Sequence, residues 1–294
     1  MNINDTTASY KSATPAPLAM ATDRLLIFGG PYSNLAATRA MLEEAERLGF
    51  TADEILCTGD VVAYCGEPAE TLDLIRASGI PVVMGNCEES LAQEKDDCGC
   101  GFDAGSQCDM LSVQWYEFAS AQINQDHRQW MAGLPRQIIV EIGGRKLLAT
   151  HAGFSSINEF IFASSPAENK LAQMASAGVD GMITGHSGIP FMQELSGKFW
   201  LNAGAIGMPA NDGTDRMWYA ILENQNNNID VSIHALTYDA SSSQKIMHDR
   251  GLVSGYQECL STGLWPSVDV LPKTERKQTG IALVERQLNW SCVT

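Results

Sequence analysis

Four positions in this 294-residue chain carry side chains that could do divalent-metal chemistry: Asp60, Asn86, His151 and His186. Each ends a short apolar run, directly or after one glycine, as in Thr58-Gly59-Asp60, Met84-Gly85-Asn86, Ala149-Thr150-His151 and Thr184-Gly185-His186. One carboxylate, one amide oxygen and two imidazoles form a mixed O/N donor set suited to a borderline ion such as Zn, Fe or Mn. Singly, each has a plainer reading. Gly-Asp and Gly-Asn are ordinary turn or cap pairs, and a lone His at a strand end is usually a hydrogen-bonded structural residue. Together they predict one shared site for one divalent metal ion.

The elements that must position them follow from periodicity. A buried strand over 25–29 is stopped by Gly29-Gly30-Pro31, and Leu35, Thr38, Met41, Leu42, Ala45 and Leu48 then recur at helical spacing, with Ser33 or Asn34 as cap. A strand over 54–58, a helix near 69–78 and a strand over 81–84 continue the alternation, which predicts right-handed βαβ units and a parallel sheet. In such sheets, ligands collect where the loops leave the carboxyl ends of the strands. After a Gly-rich break at 92–109 and a helix over 115–131, strand-like runs occupy 138–142, 146–150, 181–184, 199–202, 217–222 and 230–236. Gly143-Gly144 marks a hairpin, and one helix near 166–177 interrupts the series. The expected fold is α/β, with two packed mixed β-sheets flanked by helices. Residues 1–23 read as a flexible leader, 24–240 as the main domain, and 241–294 as a C-terminal helical extension packed on the core.

Composition narrows the function. With 35 acidic against 19 basic residues the net charge is −16, and 45% of the chain is hydrophobic, as in a globular protein. Broad binding to nucleic acid or anionic membrane is excluded, whereas a small anionic ligand in a local pocket is not. The chain has no run of 18 apolar residues and no apolar core in its first 17 residues, so a cytoplasmic location is expected. Five of the eight cysteines fall between Cys65 and Cys108, and all are expected as reduced thiols. Cys98-Gly99-Cys100, with Cys65 and Cys108, reads either as a separate thiolate metal site or, with Asp96 and Asp97, as an acidic loop. His127, His234 and His248 are expected to be structural or exposed.

The order of these blocks resembles the calcineurin-like metallophosphoesterases over roughly residues 24–240. Gly59-Asp60-Val61-Val62-Ala63-Tyr64 looks like the Gly-Asp block of the compact bacterial branch. Thr150-His151-Ala152-Gly153 with Asn158-Glu159-Phe160 resembles its third block, and the run from Asn202 to Pro209 resembles its late Asn-Pro-Gly-Ser-x-Gly-x-Pro segment. The resemblance implies two metals bridged by Asp60, with Asp60, Asn86, His151 and His186 as the second metal's set. Gly30, Tyr32 and Gly188 stand where the first metal's other ligands would be, and Cys87 replaces a substrate-contacting His, with Glu88 as its acidic partner.

Residues and resemblance together predict a metal-dependent phosphoesterase-like hydrolase of a small phosphate ester with an altered, mononuclear site. Tyr32, Cys87 and Glu88 are its expected catalytic groups, and Ser33, Asn34 and Asn86 its substrate contacts. Tyr32 either donates a hydrogen bond to a phosphoryl oxygen or fills space. The alternatives are a catalytically silent relative that binds a phosphorylated metabolite or a protein partner, and a protein using Cys87 for thiol chemistry.

Overall fold

The computed structural model describes residues 18–226, 228–252 and 255–291. Strands β1 (Leu18–Ala21) and β2 (Arg24–Phe28) lead into helix α1 (Leu35–Arg47), strand β3 (Ile55–Cys57) and helices α2 (Pro68–Ser78), α3 (Asn86–Ala92), α4 (Gln107–Gln122) and α5 (Gln125–Ala132). Strands β4 (Gln137–Ile142) and β5 (Arg145–Thr150), helix α6 (Ala167–Ala177) and strands β6 (Gly181–Thr184), β7 (Phe191–Leu195) and β8 (Lys198–Asn202) come next. Strands β9 (Met217–Gln225) and β10 (Asn228–Leu236), helices α7 (Ser241–Asp249), α8 (Tyr256–Thr262) and α9 (Lys273–Arg276), and strand β11 (Arg286–Trp290) complete the chain. One sheet has the order β1-β4-β5-β6-β8-β7, the other β11-β10-β9-β2-β3, and each mixes parallel with antiparallel pairs.

The period-2 geometry of a strand explains the layering. In β2, Leu25 and Ile27 face the core shared with Val140, Ala149, Ile183 and Leu201 of the other sheet. Leu26 and Phe28 point the opposite way, toward Met41 of α1 and Ile75 of α2. On the outer face of the six-stranded sheet, Met182 and Trp200 pack with Met174 of α6. The expected helix–sheet–sheet–helix architecture is therefore present. Among the described residues no helix is long and apolar enough to cross a membrane.

Three expectations are corrected. Leu18–Ala21, placed in the leader, instead pairs in parallel with β4, because that edge strand has free hydrogen-bonding groups; residues 1–17 lie outside the described part. The 81–84 strand reduces to a single Cys57–Val82 bridge, since Pro81 has no N–H and the Met84 N–H is turned to the Pro135 carbonyl. The C-terminal extension packs on the core through helices α7 and α8, yet its polar end also supplies β11, anchored by the buried Trp290 stacked on Phe199 at 5.2 Å.

Candidate metal centre

The four sequence-selected donors meet. His151 directly follows β5, and its Nδ1 lies 2.6 Å from the Thr58 carbonyl oxygen. A carbonyl only accepts, so Nδ1 must carry the proton and Nε2 of the neutral ring bears a lone pair. Around that Nε2 stand Asn86 Oδ1 at 3.1 Å, His186 Nδ1 at 3.1 Å and Asp60 Oδ2 at 3.2 Å. The Asn86 Nδ2 donates to the Cys98 carbonyl at 2.9 Å, which fixes the amide with its oxygen toward the centre. Even a doubly protonated His151 could satisfy only one of these three acceptors. With the His186 proton on Nε2, four lone pairs converge, the arrangement a cation relieves, and this donor set fits a divalent metal ion. Among the described residues, Asp60, His151 and His186 are also the one group of three or more His, Cys, Asp or Glu donors within 4.8 Å of one another.

Local sequence explains the aim of each side chain. Asp60 sits in a left-handed turn, φ 55°, just after β3. Its N–H, with those of Gly85 and Val62, donates to the buried Glu88 carboxylate at 2.8, 3.0 and 3.2 Å, so Glu88 ties the Asp60 loop to the Asn86 loop. Gly85 has to be glycine, because a Cβ there would lie 2.3 Å from Asp60 Oδ1. Helix α3 then starts at Asn86 itself, and the Cys87 N–H reaches Asp60 Oδ1 at 3.3 Å.

Burial opposes ionisation of Asp60, but His151, His186 and the Cys87 N–H outweigh it and hold the carboxyl below its usual range. Burial likewise opposes a charged His151, yet Asp60 holds that ring above its usual value. Burial and then His151 push His186 down to about 3, keeping it neutral and able to ligate. Glu88 is pushed up to about 7 by burial and by Asp60.

Other expected site residues are reassigned. Asn34 caps α1, accepting from the Ala37 N–H at 3.2 Å and the Ser243 hydroxyl at 2.9 Å, while its Nδ2 donates to the Gly207 carbonyl and the Tyr238 hydroxyl. No atom of that amide is left for substrate. Ser33 is sealed from solvent, its hydroxyl accepting from the Ala63 N–H. Asn86 belongs to the donor set. Burial, then Asp60 and Glu88, drive the Cys87 thiol well above its ordinary pKa, which disfavours the thiolate. Cys98 and Cys100 are joined in a disulfide rather than reduced, their Cα atoms 5.3 Å apart. Cys57, Cys65, Cys87, Cys108 and Cys259 are free and buried, Cys292 lies outside the described residues, and no separate thiolate site forms among the described residues. His127 bonds Asp73, His234 bonds the Ser232 hydroxyl, and His248 sits on the surface beside Asp249.

Tyr32 lies between the other two departures expected at the first metal, Gly30 and Gly188. A Cβ on Gly30 would lie 2.4 Å from its Cζ, and one on Gly188 would lie 3.6 Å from its hydroxyl and 3.7 Å from the Trp265 ring. The phenol thus occupies the space that a side chain at 30 would need and lies at van der Waals distance from one at 188. Sequence reasoning missed the pocket beside it, where Tyr64, Phe102, Phe160, Tyr256 and Trp265 join Tyr32 and His186. These aromatics come from separate loops with no common spacing, and the one hint was the tryptophan of Trp265-Pro266, which folds back on its own chain through Nε1 to the Pro209 carbonyl at 2.6 Å.

Comparison with known proteins agrees with this geometry. An uncharacterized protein of Methanocaldococcus jannaschii is 24% identical over 249 residues, covering 79% of this chain and 95% of that one. The crystal structure of a metallophosphoesterase from Sphaerobacter thermophilus superposes with a TM-score of 0.63 at 24% identity, covering 84% of this chain and 100% of that one. A hypothetical protein from Pyrococcus horikoshii OT3 gives a TM-score of 0.67 at 16% identity, covering 83% and 99%. Residues 25–227 match the family model of the calcineurin-like phosphoesterase superfamily domain. With that match across most of its length and the convergent donors on its strand ends, this chain belongs to the calcineurin-like phosphoesterase superfamily.

Proposed function

We propose that the protein is a metal-dependent phosphoric ester hydrolase that acts on a small phosphate ester with a single ion held by Asp60, Asn86, His151 and His186. The observation that carries this reading is the meeting of Asn86 Oδ1, His186 Nδ1 and Asp60 Oδ2 at His151 Nε2, a nitrogen whose ring proton is committed to Thr58. The one-ion reading rests on the Tyr32 ring, which stands against Gly30 and Gly188 where a second ion's ligands would project.

A divalent ion in this set supplies positive charge and Lewis acidity toward a phosphoryl group. The chain's own residues do the rest. Glu88, through three N–H groups, keeps the Asp60 loop and the Asn86 loop in register. Thr58 holds the His151 tautomer. The Tyr32 hydroxyl, which has no hydrogen-bond partner among the described residues, donates to a phosphoryl oxygen. Because burial and then Asp60 keep that phenol's pKa well above its ordinary value, it remains a donor at every working pH.

The missing half of a two-ion clamp predicts slow turnover, since each ~1.4 kcal/mol of lost transition-state stabilisation costs about tenfold in rate. A catalytically silent binder of a phosphorylated ligand is the second reading, favoured by the same Tyr32 ring. Turnover of an aryl phosphate and an aryl phosphodiester, measured across Mn, Fe and Zn, decides between them. Metal-dependent hydrolysis lost in Asp60→Ala supports the enzyme; hydrolysis that persists in Asp60→Ala, or none with metal bound, overturns it.

A further inference from the structure

Beside the candidate metal centre lies an aromatic pocket whose chemistry selects a substrate. It shares His186 and Tyr32 with the centre. Its floor includes Ser187 and Gly188, and the C-terminal segment closes it with Tyr256 and Trp265. The rings form two groups. Tyr32 and Tyr64 meet edge-on at 4.9 Å, and Tyr64 and Tyr256 lie 4.5 Å apart. Phe160 lies parallel to Phe102 at 6.1 Å and leans on the His186 ring at 4.3 Å.

Two features of this pocket are unusual for a site expected to take a phosphate. Among the described residues no lysine or arginine lines it, and no carboxylate does. Three tyrosines, Tyr32, Tyr64 and Tyr256, line it, and their hydroxyls have no hydrogen-bond partner among the described residues. Each hydroxyl is therefore free to donate to a ligand with acceptor atoms, and the rings around it offer flat apolar surface.

Charge then separates the ester classes. A divalent ion with the Asp60 carboxylate leaves about one positive charge, the Glu88 carboxylate behind the Asp60 loop lowers it when ionised, and no cationic side chain among the described residues of the pocket adds to it. A phosphate monoester is a dianion near neutral pH and would leave the larger buried excess of negative charge; a phosphodiester is a monoanion and comes nearer to balance. We infer that the pocket binds a phosphodiester through a flat aromatic ester group, with the phenol hydroxyls contacting its oxygens. This deepens the proposed function and rests on the same metal centre.

Binding and turnover test it separately. Calorimetric titration of the Mn-loaded protein compares methyl phenyl phosphate (one ring, one charge), phenyl phosphate (one ring, two charges) and dimethyl phosphate (no ring, one charge). Methyl phenyl phosphate is expected to bind at least tenfold more tightly than either of the others. Tyr256→Phe, which keeps the ring, should weaken it threefold or more, and Val270→Lys on the half-buried rim should shift preference at least tenfold toward phenyl phosphate. Equal or tighter binding of phenyl phosphate or dimethyl phosphate, or no binding of any probe, overturns the inference. If bis(p-nitrophenyl) phosphate and p-nitrophenyl phosphate are both left intact while the binding order holds, the hydrolase reading fails and the pocket assignment stands. Hydrolysis of both with the binding order reversed does the opposite.

Discussion

Around His151 Nε2, three further donor atoms crowd within 3.2 Å; around Gly30 and Gly188, a neutral phenol ring fills the corresponding space. Both regions are built from the same parts, short loops leaving the carboxyl ends of strands β2, β3, β5 and β6. The backbone frame therefore does not decide which region gathers donors suited to a cation. The side chains do, and they act as sets. A converging group of lone pairs repels itself without a cation, whereas a ring over two glycines is satisfied by contact alone.

The sharpest way to break this contrast is to remove a donor. His151→Ala should cost more metal affinity than the ~10–100-fold typical of outer-sphere changes and reduce hydrolysis to background, whereas Tyr32→Phe should leave metal content unchanged. Metal analysis after chelation and reloading reads both, and equal metal in wild type and His151→Ala would erase the distinction between the two regions.

Next in size is the packed region. Gly30→Ala drives a Cβ into the Tyr32 ring at a backbone φ of 46°, and should lower stability by about 1–3 kcal/mol. Combining it with Tyr32→Ala should recover part of that loss, a coupling that urea denaturation of the four-member cycle would show. Strictly additive costs would mean that the ring does not occupy that space.

Acid should sharpen the contrast. Asp60 holds His151 above its usual pKa, against burial, so protons compete with metal for Nε2 as pH falls through that raised value. Metal affinity is expected to drop about tenfold per pH unit below it and to level off above it, as measured by chelator competition. A pH-independent affinity between pH 5.5 and 8.5 would contradict the donor assignment. The smallest effect is reserved for Glu88→Gln, which keeps shape but weakens acceptance from three N–H groups. About a tenfold loss of metal affinity is expected, with little change in fold as followed by circular dichroism.

Legibility from sequence tracked how local the determining physics is. Strand β6 and helix α1 were readable because continuous burial and 3.6-residue spacing leave their mark on neighbouring residues. Strands β7 and β11 were not: both are edge strands, and in β11 only Trp290 is buried. All four converging side chains of the candidate site were legible, since each sits at the abrupt end of an apolar run. Ser33 and Asn34 were misassigned because a polar residue before a helix looks the same whether it caps the helix or meets a ligand. Only the partners of Asn34, from Gly207, Tyr238 and Ser243 far along the chain, separate the two.

Residue types and their order along the chain were enough to determine the architecture and to pick out the side chains that converge at the candidate site, because these depend on periodicity and on which atoms each side chain carries. The tertiary structure decided which nitrogen of His151 is free, what Glu88 clamps, that Cys98 pairs with Cys100, and that aromatics from distant loops enclose a pocket without cations. Those outcomes depend on contacts between segments tens to hundreds of residues apart, and a one-dimensional pattern does not carry the directions in which such side chains point.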